Sequence, residues 1–298
     1  MGRGVKVRKE RAESRRQDLL ASGVLDTSKK PVETPDHIIF PVRDTYDGST
    51  VSARFESFAT TKSFREAAED ILTEEEKAHF IHSYDTVGSI AIIQIPSELS
   101  SKKELLAEAL LTSQPSIKTV RCRATERTGV ERLRTTEFLA GEQTTRTVHV
   151  EHGVELVVDV NHVYFSPRLS TERGRIAETV ENGESVLVMF SGCAPYPCII
   201  ASKNDESTIV GVEINQAGHE LGVANIHRNN FDDRVDLYHG DVKDVVPKLG
   251  VFDRVVMPAP YNASSYLDIG RDALRSEGTL HLYDFVSESE NPSFDDFN

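Results

Sequence analysis

Short apolar runs of strand length alternate with segments of helical periodicity over the second half of the chain. The runs lie at 185–190, 209–214, 235–239, 253–257 and 279–285, and helical patterns lie between them at 196–202, 218–230 and 266–274. Strands buried on both faces read as continuous apolar runs, and a parallel sheet needs a helix between successive strands. The pattern therefore predicts an α/β domain over residues 151–298, built on a Rossmann-like, doubly wound sheet.

The first half of the chain mixes both periodicities and predicts two smaller α+β domains, at 1–60 and 61–150. In the first, we expect a basic helix over 5–22 and a strand over 37–42, which Pro41 would confine to a sheet edge because proline has no N–H to offer a neighbour. In the second, Ser63 is expected to cap a helix over 64–72, with Glu66 completing a capping box. Further elements are expected as a helix over 102–112 and strands over 81–84, 89–96, 119–123, 145–149 and 156–160.

Candidate binding residues follow the predicted strands at the ends where parallel sheets bind ligands. The first run ends at Phe190 and breaks at a turn containing Gly192, the second ends at Glu213, and Asp241 and Pro258 follow the third and fourth. Glu213 lies 21 residues after Gly192, a spacing at which an acid can accept two ribose hydroxyls. This is the layout of S-adenosylmethionine sites, although a nicotinamide site shares its first half. The structural alternative is a plain turn followed by solvated strand-end acids.

A second candidate site lies just before the sheet, at residues 167–173. Pro167 and Arg168 form a rigid basic corner, and Glu172 and Arg173 follow Arg168 by four and five residues. On a helix, Arg168 and Glu172 would share a face. The functional interpretation is a basic clamp beside a carboxylate that can accept a proton, and the alternative is an ordinary surface ion pair.

Composition limits the class of protein. Of the 298 residues 38% are hydrophobic, and no apolar run reaches the roughly 20 residues that span a bilayer, so we expect a cytoplasmic protein. The three cysteines form no Cys-x-x-Cys pair, and we expect them to be buried and to bind no metal. A net charge of −14 argues against a nucleic-acid partner, but residues 1–16 carry a local charge of +5 that could hold a phosphate backbone. A solvated helix face or a disordered tail would explain the same basic segment.

Several ordered motifs resemble the archaeal and eukaryotic tRNA (guanine-N1)-methyltransferases that modify guanosine 37 beside the anticodon, together with their wyosine-pathway relatives. The motifs are Ser-Phe-Arg-Glu at 63–66, Ser-Tyr-Asp-Thr-Val-Gly at 83–88, Leu-Ala-Gly-Glu at 139–142, Tyr-Phe-Ser-Pro-Arg-Leu at 164–169, Glu-Arg at 172–173, Val-Glu-Ile-Asn at 212–215 and Gly-Asp-Val at 240–242. The resemblance implies an N-terminal domain that touches the tRNA body, a middle domain and a C-terminal Rossmann-like methyltransferase domain. It also implies S-adenosylmethionine as cofactor and the anticodon loop and body of tRNA as partner, and we expect a monomer.

The resemblance also implies residue roles at both candidate sites. The family's cofactor positions fall on Arg173, Glu213, Ile214, Asp241 and Val242. Glu172 falls on the proposed general base and Arg132 on an arginine that contacts the target base, with Arg168 in a similar role. The chemistry agrees, because guanine N1 carries a proton at neutral pH that a carboxylate in hydrogen-bond reach can remove. A guanidinium such as that of Arg132 can stabilise the negative charge that then develops on O6.

Three positions depart from the family pattern. Family members usually have an acid where this chain has Val188 and a glycine where it has Ala194. The family's Asn-x-Pro after the fourth strand is replaced by Pro-Ala-Pro at 258–260. Pro258 has neither a polar side chain nor an N–H, so any contact made by that asparagine is missing. Three hypotheses stay open: a tRNA guanine-N1 methyltransferase, a wyosine-pathway relative that transfers a methyl or aminocarboxypropyl group, and an RNA-binding protein with a degenerate catalytic domain. Retention of Glu172 and Arg132 favours the first.

Overall fold

The computed structural model describes residues 1–56, 62–124, 135–258 and 263–283. The chain separates into two compact units, Met1–Lys62 and Ser63–Asn298. The finer division of the chain into 1–60, 61–150 and 151–298 stays a prediction. No helix in these described ranges is long and apolar enough to cross a membrane.

The N-terminal unit is a small antiparallel sheet with one helix packed on it. Its elements are β1 (Gly2–Arg8), α1 (Ala12–Ala21), β2 (Val32–Glu33), β3 (His37–Pro41) and β4 (Val51–Ala53), with strand order β2-β3-β1-β4. The predicted basic helix over 5–22 is wrong in its first part, because residues 2–8 form β1. Val5 and Val7 pack on the core, while Lys6 and Arg8 are exposed. This alternation has the period of a strand, and pairing with β3 selects it.

The position of β3 in this sheet corrects a second prediction. The strand lies between β1 and β2 and not at the edge that Pro41 suggested. The short strand β2 pairs only with Ile38 and Ile39, so it ends before the proline. Pro41 still uses its carbonyl, which accepts the N–H of Asp26 at 2.9 Å. A proline is compatible with an inner strand here because no ladder donor is needed at its own position.

The second unit begins with a mixed four-stranded sheet. Its elements are α2 (Phe64–Glu69), α3 (Glu74–Lys77), β5 (Tyr84–Val87), β6 (Ile90–Ile93), α4 (Lys103–Ser113), β7 (Thr119–Arg123) and β8 (Thr136–Gly141), with strand order β5-β6-β7-β8. The capping box of Ser63 and Glu66 is confirmed. The strand expected at 81–84 instead starts at Tyr84, and β8 was not predicted.

An antiparallel pair, β9 (Arg146–Glu151) and β10 (Val154–Asp159), precedes the main sheet. The strands of the main sheet and the helices that alternate with them are α5 (Ser170–Thr179), β11 (Ser185–Met189), α6 (Pro195–Lys203), β12 (Thr208–Glu213), α7 (Gln216–Arg228), β13 (Val235–His239), α8 (Val242–Val245), β14 (Phe252–Met257), α9 (Leu267–Asp272) and β15 (Leu274–Leu282). The strand order of the main sheet is β13-β12-β11-β14-β15, and every pair of neighbouring strands is parallel. The α/β fold class is therefore confirmed, and the carboxyl ends of the strands meet at one edge.

Both faces of the main sheet are buried. Val186 and Val188 of β11 pack with α5, α6 and α7, while Leu187 and Met189 pack with α8 and α9. On the first face, Asn225 of α7 is fully buried and its Oδ1 accepts the N–H of Val157 in β10 at 2.7 Å. This contact fixes the β9–β10 pair beside the sheet, so that the segment after β10 leads to the carboxyl edge.

Candidate functional site

The turn after β11 has an unusual backbone. Phe190, Gly192 and Ala194 all have positive φ, at 57°, 58° and 62°. The left-handed region suits glycine but costs about 1 kcal/mol or more for other residues. Ala194 is the N-cap of α6, and Pro195 occupies the first helical turn, where its missing N–H has no helical partner to lose. A Cβ built on Gly192 would make one ordinary contact, with the Tyr164 carbonyl oxygen at 3.5 Å, so the turn is not tightly packed on this side.

Glu213 connects this turn to the next strand ends. Its carboxylate is buried and accepts the Gly192 N–H at 2.6 Å and the Asn215 N–H at 2.8 Å. Its carbonyl accepts the N–H of Gly240 at 2.9 Å. The predicted residues at the first three strand ends are therefore brought together. The structure adds a role that the sequence did not suggest: the Glu213 carboxylate accepts a backbone N–H of the turn and so stabilises it.

Helix α7 approaches the turn through two glycines one helical turn apart. A Cβ on Gly218 would lie 3.2 Å from Cγ of Glu213, and a Cβ on Gly222 would lie 2.7 Å from a methyl of Leu237 and 3.3 Å from Cβ of Ala194. The side chain of Asn215 caps the helix by accepting the Gly218 N–H at 3.1 Å. Sequence reasoning missed Gly222, whose spacing of four residues from Gly218 was the available signal.

The next candidate cofactor residues differ in what they present. Ile214 is 40% exposed, so an apolar side chain stands in solvent at the tip of β12. Asp241 is the N-cap of α8 and accepts the Lys243 N–H at 2.9 Å. Val242 is 3% exposed and its side chain packs in the core, so only its backbone can meet a ligand. As the first residue of a helix, Val242 has an N–H without an intrahelical acceptor.

A cavity lies where the segment after β10 passes the four-stranded sheet of β5 to β8, the middle sheet. Its lining residues are Asp85, Val87, Ile92, Thr136, Val160, Val163, Tyr164, Phe165, Ser166 and Pro167. The carbonyl of Tyr164 faces Gly192, so the cavity wall and the turn are neighbours. The two candidate sites of the sequence are thus joined through this segment.

Arg173 is occupied by a buried ion pair. Its Nε and Nη2 donate to the two carboxylate oxygens of Glu151 at 2.5 and 2.7 Å, and Nη2 also donates to the carbonyl of Ser166 at 3.1 Å. The guanidinium carbon lies 5.1 Å from the Phe165 ring centre. Burial would raise the pKa of Glu151, but hydrogen bonds from His149 and Arg173 outweigh it and hold the pKa at about 2. The pair fixes the cavity-lining segment, and any cofactor contact of Arg173 stays a prediction.

Glu172 and Arg168 do not pair with each other. Arg168 donates to Asp85 Oδ1 at 2.8 Å, and Asp85 also pairs with Arg123. Glu172 accepts a fork from Arg175, at 2.8 Å from Nε and 2.7 Å from Nη2, and a hydrogen bond from the Tyr283 hydroxyl. The Arg175 hydrogen bond is the largest influence on Glu172 and lowers its pKa, burial opposes it, and Tyr283 lowers it further. A carboxylate with a lowered pKa is ionised at neutral pH, which is the state that a proton acceptor needs, but the same shift makes it a weaker base.

The remaining candidates are Arg132, Pro258 and the cysteines. Arg132 and residues 259–262 lie outside the described residues. Pro258 follows β14 and is half-buried. The three cysteines are buried and unpaired, as expected, and burial raises the pKa of Cys193 to about 12. Within the described ranges, no group of three or more His, Cys, Asp or Glu side chains could hold a metal ion.

Most of the chain is similar to known proteins. The TRM5/TYW2 methyltransferase domain matches residues 147–295, the TYW2 N-terminal domain 64–144 and the tRNA methyltransferase 5 N-terminal domain 4–50. The tRNA (guanine(37)-N(1))-methyltransferase Trm5b of Pyrococcus abyssi is 31% identical over 288 residues, which covers 96% of this chain and 85% of that protein. The tRNA 4-demethylwyosine(37)-methyltransferase Taw21 of Saccharolobus solfataricus is 30% identical and covers 70% of this chain and 80% of its own.

A solved structure shows the same similarity in three dimensions. In the complex of aTrm5 with tRNALeu, the enzyme chain superposes on this one with a TM-score of 0.69 at 29% identity. The superposition covers 94% of this chain and 86% of the other.

Proposed function

The chain belongs to the TRM5/TYW2 methyltransferase family, and on that premise we propose that it transfers a methyl group from S-adenosylmethionine to N1 of guanosine 37 in the anticodon loop of tRNA. The observation that carries the proposal is the carboxyl edge of the parallel sheet. There the Gly192 turn, braced by Glu213, adjoins the Tyr164 segment that leads to Glu172. An enzyme that removes a proton from a base beside a nucleoside cofactor needs both parts in one place.

The residues at the strand ends fit S-adenosylmethionine. The loose packing at Gly192 lets a ligand come close to the backbone of the turn, which begins at Phe190. The exposed Ile214 gives an adenine ring an apolar surface, the Val242 N–H can donate to a ring nitrogen, and Asp241 stands next to it. Glu213 is assigned to the ribose and Arg173 to the methionine end, in keeping with the family positions. When bound, the cofactor supplies an electrophilic methyl group.

The remaining residues act on the base. Glu172 accepts the N1 proton, so that the N1 electron pair becomes available for bond formation, and Arg132 stabilises negative charge on O6. Arg168 contacts the base or its phosphate, after exchanging its pairing with Asp85. A target base must leave the loop stack to reach these groups. The cavity bounded by Tyr164 and Pro167 is the space in which we place it.

The tRNA body is assigned to the N-terminal unit. Within its described part, Lys6 and Arg8 are exposed on one face of β1 and form no ion pair, whereas Lys9 pairs with Glu33 at 2.6 Å. Cations without internal partners are the ones that release counterions when they meet phosphate. This local charge reconciles an RNA partner with an acidic chain. We propose that one monomer binds one tRNA in the cytoplasm.

A wyosine-pathway activity is the second candidate. The similarity to Taw21 and the replacement of the family asparagine by Pro258 favour it. Methyl transfer from labelled cofactor to tRNA transcripts with guanosine or adenosine at position 37 tests the proposal. We expect label only with guanosine. Label that appears only with tRNA carrying 4-demethylwyosine would favour the second candidate, and no heat of binding with millimolar S-adenosylmethionine would favour a non-catalytic RNA-binding protein.

A further inference from the structure

The carboxylate of Glu172 accepts three hydrogen bonds from two side chains. Nε of Arg175 donates to Oε2 at 2.8 Å and Nη2 to Oε1 at 2.7 Å. The hydroxyl of Tyr283 also donates to Oε1. A carboxylate has about four lone-pair directions, so these three donors leave one direction for a further hydrogen atom. The orientation of that remaining lone pair is fixed by the other three bonds.

Strand β15 places Tyr283 beside the Glu172 carboxylate. Alternate residues of a strand face opposite sides of the sheet. Leu280 and Leu282 pack with the α8 and α9 side, whereas Tyr283 packs with the core beneath α5 and α6. Tyr283 follows the last residue of β15, so its hydroxyl stands at the carboxyl edge, where ligands bind in parallel sheets.

The end of β15 that precedes Tyr283 is tied to β14. His281, two residues earlier on the same face, accepts a hydrogen bond from Nη1 of Arg254 at 2.7 Å. Arg254 in turn makes a fork to Glu184, at 2.7 and 2.9 Å. Burial raises the pKa of the Tyr283 hydroxyl, and its bond to Glu172 raises it further, so the phenol stays protonated and keeps donating at every working pH.

We propose that Tyr283 is a positioning residue for the general base: with Arg175 it fixes the Glu172 carboxylate so that one lone pair faces the N1–H of the target guanine. The inference rests on the proposed function. Among the described residues, the charged and titratable groups that face Glu172 are Arg175 on its own helix, His281 of β15, Tyr283 directly after β15, and Tyr196 of α6. Arg175 and Tyr283 favour the ionised carboxylate, so the proton taken from N1 is passed on to solvent and the base is restored. The Glu172 side chain is 26% exposed and can release it.

The test removes one oxygen atom. Tyr283→Phe keeps the ring in the core and deletes the donor, and Tyr238→Phe on β13, whose residue is 42% exposed, is the matched control. Single-turnover methyl transfer at saturating tRNA and cofactor should fall about tenfold in Y283F, the size expected when one hydrogen bond to a charged group is lost. The dissociation constants for S-adenosylmethionine and tRNA should stay within about twofold of the wild type. Y238F should behave as the wild type.

A second readout follows the carboxylate itself. Carbon-13 NMR of protein labelled at the glutamate carboxyl, with the Glu172 signal assigned by its loss in Glu172→Gln, measures its titration without turnover. Loss of a donor to the ionised form raises the pKa, so the Glu172 midpoint and the acidic limb of the rate profile should both move to higher pH in Y283F.

The outcomes separate the two claims. A wild-type chain that methylates no transcript overturns the proposed function, and this inference with it. An active wild type with an unchanged rate and an unchanged Glu172 titration in Y283F overturns this inference alone. A Y283F protein that loses cofactor affinity and rate together, without moving the Glu172 midpoint, assigns Tyr283 to the fold and also overturns it.

Discussion

The buried pair of Glu151 and Arg173 allows a quantitative test of what holds the cavity-lining segment. Glu151→Gln keeps the shape of the side chain and removes its charge. Arg173 is 2% exposed and would be left with a charge in the interior and no counter-ion. Removing one partner of a buried pair costs about 3–5 kcal/mol of folding free energy. We expect E151Q to lower the free energy of unfolding of the second unit by that amount.

The pKa of Glu151 gives an independent magnitude. A carboxyl with a pKa of about 2 in the folded chain and 4.5 in the unfolded chain contributes about 3 kcal/mol at neutral pH. Because the folded value is the lower one, this contribution is complete above pH 4.5 and is lost as the pH falls from 4.5 toward 2. The difference between wild type and E151Q should therefore shrink over that interval.

Urea unfolding followed by circular dichroism, at pH 7 and at acidic pH, measures the loss of unfolding free energy and its dependence on pH. In a thermal melt, about 3 kcal/mol corresponds to a fall in melting temperature of roughly 6–12 °C for a unit of this size. Glu178→Gln on α5, the helix that carries Arg173, is the control, because its bond to Lys203 is at the surface, with 69% of the Glu178 side chain exposed. Such a pair is worth less than about 1 kcal/mol. An E151Q loss no larger than that of E178Q, or one that does not change with pH, would refute the reasoning.

Three further predictions concern the cofactor, the tRNA and the base. Gly222→Val should weaken S-adenosylmethionine binding in calorimetry and cost about 1–3 kcal/mol of stability, because its Cβ would lie 2.7 Å from Leu237 and press on the turn; unchanged affinity would contradict the packing argument. Lys6→Ala with Arg8→Ala should weaken tRNA binding and reduce the slope of log affinity against log salt by about 2, since each cation meets about one phosphate; an unchanged slope would remove β1 from the interface. Glu172→Gln should keep cofactor binding but lose methyl transfer, and an unchanged single-turnover rate would remove Glu172 from the mechanism.

The main sheet could be predicted from the sequence because its strands are buried on both faces. The run Val235–His239 matches β13 at both ends, and Ser185–Met189 and Thr208–Glu213 fall within one residue of the expected bounds. The prediction for residues 5–8 failed because the pattern Val-Lys-Val-Arg was interpreted as the start of a basic helix over 5–22, and only pairing with β3 selects the strand. The missed strand Thr136–Gly141 pairs with β7 through a register shift, and such an irregularity breaks the period of two that identifies a strand.

In the candidate site, too, features set by neighbouring residues could be predicted, whereas contacts between distant residues could not. Strand ends are local features of the sequence, so the apolar runs alone were enough to place Gly192 and Glu213 together. The partners of the charged side chains are not local: Arg173 bonds a residue 22 positions away, Arg168 one 83 away and Glu172 one 111 away.

The one local pair that spacing suggested, Arg168 with Glu172, does not form. Residues 167–169 are a single 3-10 turn and α5 begins only at Ser170, so the rule that places residues four apart on one helix face does not reach back to Arg168. Arg168 therefore bonds Asp85 of the middle sheet, and Glu172 is left for Arg175 and the end of β15. It follows that the carboxylate we propose as the general base is held by a residue at the end of β15. A change at Tyr283 should then shift the Glu172 titration measured by carbon-13 NMR more than a change at Arg168, which bonds Asp85 and not Glu172.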